Sequence, residues 1–228
     1  MPLFLGKMKI RAVLFDLDGT LIDSNSMWHD VDVKFMEEKG INYSADVLQK
    51  EIEGMAMNET AVYIREKFGL QETAEELVEI WNDVALEFYT KHVQIKPGAL
   101  EFVKFLHENG IKMAIATSNS YFLASSSLEA KGFMPYLDSI VTANEVKAGK
   151  PSPDVYLKAA QNLGVEPKEC MVFEDVLPGV MAGLNANMKV SLIYDEYGSY
   201  NWEEKKKLAD YSFMDYYEVM ENYERIFN

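Results

Sequence analysis

Cysteine is almost absent from this 228-residue chain: Cys170 stands alone, so no intramolecular disulfide framework staples the fold, and a reducing, cytoplasmic setting is expected. Cys170 opens an apolar run with no histidine near it, which reads as core and not as a nucleophile. Histidine is scarce as well. His29, His92 and His107 show no metal-ligand spacing and are assigned to the surface or to packing. No apolar run is long enough to span a membrane, and Met1–Phe15 is interrupted by Lys7, Lys9 and Arg11, so neither a membrane partner nor a cleavable leader is expected. Positive charge is the third shortage. Against 37 Asp and Glu stand 22 Lys and Arg, a net charge of −15, which disfavours nucleic acid as a partner, since a backbone binder needs a basic face. It does not exclude a small anion, because one metal ion and one lysine can govern a site over less than a Debye length of about 8 Å. Repeats, low-complexity linkers and a distinct interface stretch are also missing, which leaves the oligomeric state open. What is present is a 48% hydrophobic chain, long enough for one large domain or one domain with an insert.

The chain is organised around residues 9–24, KIRAVLFDLDGTLIDS. Ile10 to Phe15 fits a strand buried on both faces of a parallel sheet. Asp16 and Asp18 then flank Leu17, and the period of two throws both carboxylates to one side at the strand's exit. Two carboxylates about 4 Å apart repel by ~4 kcal/mol at an effective dielectric of about 20, so they need a cation, a shared proton or distance. Taken alone, Asp-x-Asp reads as an ordinary acidic turn.

In context, Asp16-Leu17-Asp18-Gly19-Thr20 resembles the first motif of the haloacid dehalogenase superfamily, whose phosphatases take up a phosphoryl group on the first Asp and use the second as general acid and base. Superfamily dehalogenases and phosphonate hydrolases lack the second Asp, whereas this chain keeps Asp18. The resemblance implies an α/β core with a Rossmann-like parallel sheet and an inserted all-helical cap.

Residues 24–95 carry helical periodicity, with Trp28, Val31, Phe35 and Met36 on one face and Leu77, Trp81, Val84 and Phe88 on another. The expectation is a cap of about four helices over 24–95, capped at its start by Asp23 or Ser24, on a core of 1–23 and 96–228. Beyond it, Pro97 and Gly98 open a helix through Leu106, Pro97 suiting its first turn. Further strands are expected at Ile111–Ala116, Leu137–Thr142, Cys170–Phe173 and Met188–Ile193, and Tyr216–Phe227 reads as one closing amphipathic helix.

Three strand ends carry polar residues. Thr117-Ser118-Asn119 follows the second strand; its hydroxyl reads equally as a helix N-cap, but the resemblance makes Thr117 a phosphate ligand, with backbone N–H donors at Ser118 and Asn119. Gly149-Lys150-Pro151-Ser152-Pro153-Asp154 resembles the third motif, whose Lys neutralises nucleophile and phosphate; the Lys150–Pro151 bond is then expected to be cis. Glu174 and Asp175 close the fourth strand as hard oxygen ligands of the kind Mg²⁺ prefers. The family would bind Mg²⁺ through Asp16, the carbonyl of Asp18 and Asp175, with Glu174 direct, water-mediated or exposed. Two departures stand beside these motifs: Val176 replaces a small hydroxyl residue, and Asn187 replaces the glycine that ends the next helix. The loop Tyr194–Trp202 reads as surface packing, although an aromatic-rich loop also suits a sugar or a base.

The expected activity is Mg²⁺-dependent hydrolysis of a small phosphorylated metabolite through an aspartyl phosphate. The alternatives are a phosphosugar mutase like the β-phosphoglucomutases and a non-catalytic phosphate-binding regulator. A mutase needs a cap cation for a second phosphate, yet Met57 stands about where those relatives carry a basic residue, and residues 24–95 hold 15 acids against 6 Lys and Arg. Met55 and Met57 therefore predict an apolar-tolerant pocket, unless Lys50, Arg65 or Lys67 reaches inward. The natural substrate is not legible.

Overall fold

The computed structural model describes residues 10–227; residues 1–9 of the expected core and leader-free start, and Asn228, lie outside the described residues. Six parallel strands form one sheet in the order β5-β4-β1-β6-β7-β8. They are β1 (Ala12–Phe15), β4 (Lys112–Thr117), β5 (Ser139–Thr142), β6 (Cys170–Glu174), β7 (Lys189–Ile193) and β8 (Tyr211–Phe213). β8 adds a strand that its short sequence did not announce. Helices cover both faces: α5 (Ala99–Glu108), α6 (Tyr121–Ala130), α7 (Asp154–Leu163), α8 (Leu177–Asn185), α9 (Trp202–Leu208), α10 (Tyr216–Glu221) and α11 (Tyr223–Phe227). The alternation in β1 shows why: Val13 and Phe15 join the core beneath α5 and α10, whereas Ala12 and Leu14 face α7 and α8. Cys170 lies in that second core, as expected, and burial pushes its thiol up to about 12.

Between β1 and α5 the chain makes the short ribbon β2 (Ile22–Asp23) with β3 (Gln94–Ile95), paired antiparallel. Inside it lie α1 (Asn25–Glu38), α2 (Ala45–Ile52), α3 (Met57–Phe68), α4 (Ala74–Glu87) and a π-helical turn, Phe88–His92. Four α-helices agree with the periodicity, but the buried row of α4 is Leu77, Trp81 and Ala85 leading to Tyr89; Val84 and Phe88 are exposed. Ser24 holds the N-cap position of α1 without capping it, because its hydroxyl is used elsewhere.

Two further expectations are corrected. Pro97 precedes α5, whose N-cap is Gly98 at φ 76°, and its carbonyl accepts from the Tyr216 N–H. The closing helix breaks at Asn222 into α10 and α11, which lets Tyr216 and Phe227 both reach Phe102. Among the described residues no helix is long and apolar enough to cross a membrane.

Asn187 adopts φ 59° after α8, the left-handed conformation inferred for it. Asn187→Ala is expected to lower the unfolding free energy by about 1 kcal/mol and Asn187→Gly to preserve or raise it, read from urea midpoints.

Candidate active site

Sheet register brings the motifs together. Phe15 pairs with Phe173 on one side and Ile115 on the other, so the next residues, Asp16 and Glu174, leave adjacent strand ends, with Thr117 one step further along β4. Lys150 enters from the turn before α7, across a cis Lys150–Pro151 bond. Its ammonium lies 2.5 Å from Asp16 Oδ1 and 2.5 Å from Glu174 Oε1. Burial alone would discharge it, but these carboxylates outweigh burial and raise its pKa. Asp16 fares differently: burial pushes its carboxyl up to about 8, Lys150 offsets only part of this, and Glu174 and Asp18 add to it.

Glu174 is fully buried and fully engaged, accepting from Lys150, from Tyr156 at 2.7 Å, and from the backbone N–H groups of Asp175 and Val176. It is therefore not exposed, and its four acceptor sites are taken. Asp175 accepts from Thr20 at 2.8 Å and from Asn25 at 3.2 Å, so Thr20 supplies a hydroxyl where Val176 has none. Ligand oxygens of Asp16, Glu174 and Asp175 lie within 4.8 Å of one another. Burial and the surrounding carboxylates of Asp195, Glu174 and Asp16 hold Asp175 well above the usual range, so the cluster lacks positive charge.

Thr117 is buried, and its hydroxyl oxygen accepts from the Asn119 N–H, which turns that expected donor away from a ligand. Asn119 instead enters by its side chain, donating to Asp18 Oδ2 at 3.0 Å and to the Tyr89 hydroxyl at 2.7 Å. Ser118 joins the two layers: its hydroxyl donates to the Gly54 carbonyl and its own carbonyl accepts from Met57 N–H.

A cavity of about 450 Å³ connects these groups to the helices above. Met55 and Met57 line it, as does Lys50, whose ammonium sits 4.7 Å from the Tyr200 ring centroid. Arg65 and Lys67 do not line it; Lys67 pairs with Glu51 at 2.8 Å. Other residues here were not anticipated. Tyr197 and Tyr200 belong to the loop assigned to surface packing, and His29, placed in packing, lines the cavity 3.2 Å from Asp46. The loop turns inward because buried Asp195 accepts from Asn25, Lys96 and the N–H groups of Tyr197 and Gly198. Lys205, in a run of three lysines, is buried and donates to the Asp175 and Gly198 carbonyls. Tyr89 donates to Asp18, and no local pattern marked it.

The family model for haloacid dehalogenase-like hydrolases matches residues 13–193. The chain belongs to that family. Within it the chain is an enzyme of the phosphatase kind, keeping the second carboxylate, Asp18, beside the first. Hexitol phosphatase A of Escherichia coli is 34% identical over 193 residues, covering 80% of this chain and 82% of that protein. A hydrolase from Pseudomonas syringae superposes with a TM-score of 0.82 at 25% identity, covering 96% of this chain and all of the other. The β-phosphoglucomutase of Clostridium difficile shares the fold, with a TM-score of 0.77 at 23% identity over 95% and 98% of the two chains.

One wall of the cavity titrates. Burial raises Asp32 to about 6, against the opposing hydrogen bond from Gln49 and the nearby His29. A raised carboxyl favours folding below its unfolded value near 4, and that contribution is lost as pH rises through about 6. Wild type is therefore expected to lose roughly 2 kcal/mol relative to Asp32→Asn between pH 4 and pH 7, measured by chemical unfolding at each pH.

Proposed function

We propose that the protein hydrolyses a small phosphate monoester with Mg²⁺ through an aspartyl phosphate on Asp16, residues 24–95 acting as a cap over a core of 1–23 and 96–228. The observation that carries this reading is the Lys150 ammonium bridging Asp16 and Glu174 beneath the cavity. Buried, charge-deficient carboxylate oxygens fit a hard divalent cation. Asp16 and Asp175, each with acceptor capacity left, and the Asp18 carbonyl would hold it, while Glu174 serves Lys150. A bound Mg²⁺ would neutralise charge on the phosphoryl oxygens.

Asp16 attacks phosphorus, forming a carboxylate–phosphorus bond as the ester P–O bond breaks, and Asp18 gives its proton to the departing alkoxide. Water then attacks the acyl phosphate, Asp18 takes a proton from it, and Asp16 is regenerated with release of inorganic phosphate. Thr117 and the Ser118 backbone N–H orient the phosphoryl oxygens, and Lys150 balances their charge.

The cavity's outer wall favours hydrolysis over phosphoryl return to a sugar. Asp32, Asp46 and Glu53 line it with Lys50, so a second phosphate would meet more carboxylates than ammonium groups. Met55, Met57, Trp28 and Trp81 give it apolar surface, and Gln49 with Asp32 gives hydrogen-bonding capacity. A polyol or sugar monophosphate suits this mixture, in line with the hexitol phosphatase likeness.

Asp16→Asn is expected to lower Mg²⁺-dependent release of phosphate from p-nitrophenyl phosphate by about 10³-fold or more, and chelation of the metal to abolish it. Retained turnover in the variant would overturn the mechanism. With β-glucose 1-phosphate, Mg²⁺ and a bisphosphate primer, the expected product is phosphate; rapid formation of glucose 6-phosphate without it would show a mutase.

A further inference from the structure

Asp18 sits where the helical insert joins the sheet, and its carboxylate is held by an ordered set of donors. Trp28 Nε1 donates to the Tyr89 hydroxyl oxygen at 2.6 Å, and Asn119 Nδ2 donates to the same oxygen at 2.7 Å. Neither can accept. Indole N–H is a donor only, and the Asn119 amide orientation is fixed by its Oδ1, which accepts from Ser120 N–H at 2.7 Å. With both lone pairs of its oxygen filled, Tyr89 has one remaining role, to donate its own proton to Asp18 Oδ1. Ser24 donates to the same Oδ1 at 2.5 Å, and Asn119 donates to Oδ2 at 3.0 Å. Three of the four carboxylate acceptor sites are thus occupied, both on Oδ1 and one on Oδ2.

We propose that Tyr89 is a positioning residue that saturates Asp18 Oδ1 and leaves one lone pair of Oδ2 as the site that carries the transferred proton. This rests on the reading of Asp18 as the acid and base of the reaction. Tyr89 is suited to the task by its place. It lies in the π-helical turn that follows α4 and is wholly buried, and its ring hydroxyl is held by Trp28 from the insert and Asn119 from the sheet layer. Trp28 lies on the first helix of the insert and Tyr89 at its last turn, so both ends of the insert converge on one carboxylate. A carboxylate with two free oxygens can rotate and present either; one pinned on Oδ1 presents the same oxygen to the leaving group and later to water.

The test compares two substrates in Tyr89→Phe, which keeps the ring and removes the hydroxyl. One is p-nitrophenyl phosphate, whose phenolate leaves without a proton. The other is the sugar or polyol phosphate that wild type turns over fastest, whose alkoxide needs one. kcat/KM covers the steps up to the first irreversible departure, so it reports acid catalysis of that departure. The expected result is a fall of about tenfold or more for the alkyl ester and less than about threefold for p-nitrophenyl phosphate. Their ratio does not depend on how much of the variant is folded. Equal falls for the two esters, or an unchanged ratio, would overturn the proposal. Asp18→Asn separates the two ideas: if it also leaves the ratio unchanged, Asp18 is not the acid and the proposed mechanism fails; if it alone shifts the ratio, only the role of Tyr89 is lost.

Discussion

Everything at the carboxyl edge of the sheet depends on one buried ammonium. Lys150 has 1% of its side chain exposed and shares its charge between Asp16 and Glu174. Taking such charges out of water costs several kcal/mol each, so the arrangement persists only because the remaining hydrogen-bonding capacity is also met. Glu174 meets it with Tyr156 and two backbone N–H groups, and the β1–β6 register sets the two carboxylates side by side before any loop is considered. Removal of the ammonium alone would leave uncompensated buried carboxylates, a loss of about 3–5 kcal/mol in comparable cases. Stability and chemistry are therefore tied to the same atom. The pairing also explains why Asp16, although it touches a lysine, is not a strongly acidic carboxyl: its ammonium is divided, and its own burial is not.

The insert is seated on the sheet layer by backbone contacts beside a continuous apolar core. Met57 N–H meets the Ser118 carbonyl, Ser118 Oγ meets the Gly54 carbonyl, and a side chain at Gly149 would meet Glu59 Oε2 at 2.6 Å and the Ala56 nitrogen at 3.2 Å. Such a seam demands small residues on both sides, which accounts for Gly149 and adds to the backbone conformation that already calls for glycine at position 54. Gly54, at φ 83°, also packs where a Cβ would lie 2.7 Å from Pro178 of α8. The segment 53–59 thus does two things at once: it seats the insert against the sheet layer and presents Met55 and Met57 to the cavity.

The sequence was legible where a property is local. A strand buried on both faces reads as an apolar run, a strand end reads as an abrupt carboxylate, and a left-handed helix end reads as Asn187 in place of glycine. These gave five of the six sheet strands, the four-helix insert and the acid-lysine cluster. What escaped was long-range. Lys205 sits in EEKKKL, indistinguishable from a solvated helix face, and becomes a buried donor only because α9 lies over the carbonyls of Asp175 and Gly198. Tyr89 is one aromatic among several on a helical stretch, and its role is fixed by Asp18, 71 residues away. Tyr197 and Tyr200 of the loop 194–202 lie at the surface, as read, but their lining of the cavity escaped for the same reason: nothing within the loop shows that Asp195 is anchored by Asn25 and Lys96 from the two ends of the insert.

How a chain of net charge −15 can receive a phosphate follows from where its few cations are buried. Lys150 and Lys205 are both enclosed at the sheet edge, and Lys96 is held at 2.6 Å from Asp195 beside them. Exposed acids at the far surface are screened over about a Debye length, whereas the interior groups act on a guest through little intervening water. With all five ionised, Asp16, Asp18, Glu174, Asp175 and Asp195 would outnumber those three lysines. Lys205, moreover, is pushed down by burial despite the surrounding carboxylates. An incoming dianion would add to this deficit, and no residue lining the cavity's inner end beyond Lys150 offers a full positive charge. On the mechanism proposed above the remaining charge would arrive with Mg²⁺, and phosphate binding and metal binding would then be thermodynamically coupled, each raising the affinity for the other by the same factor.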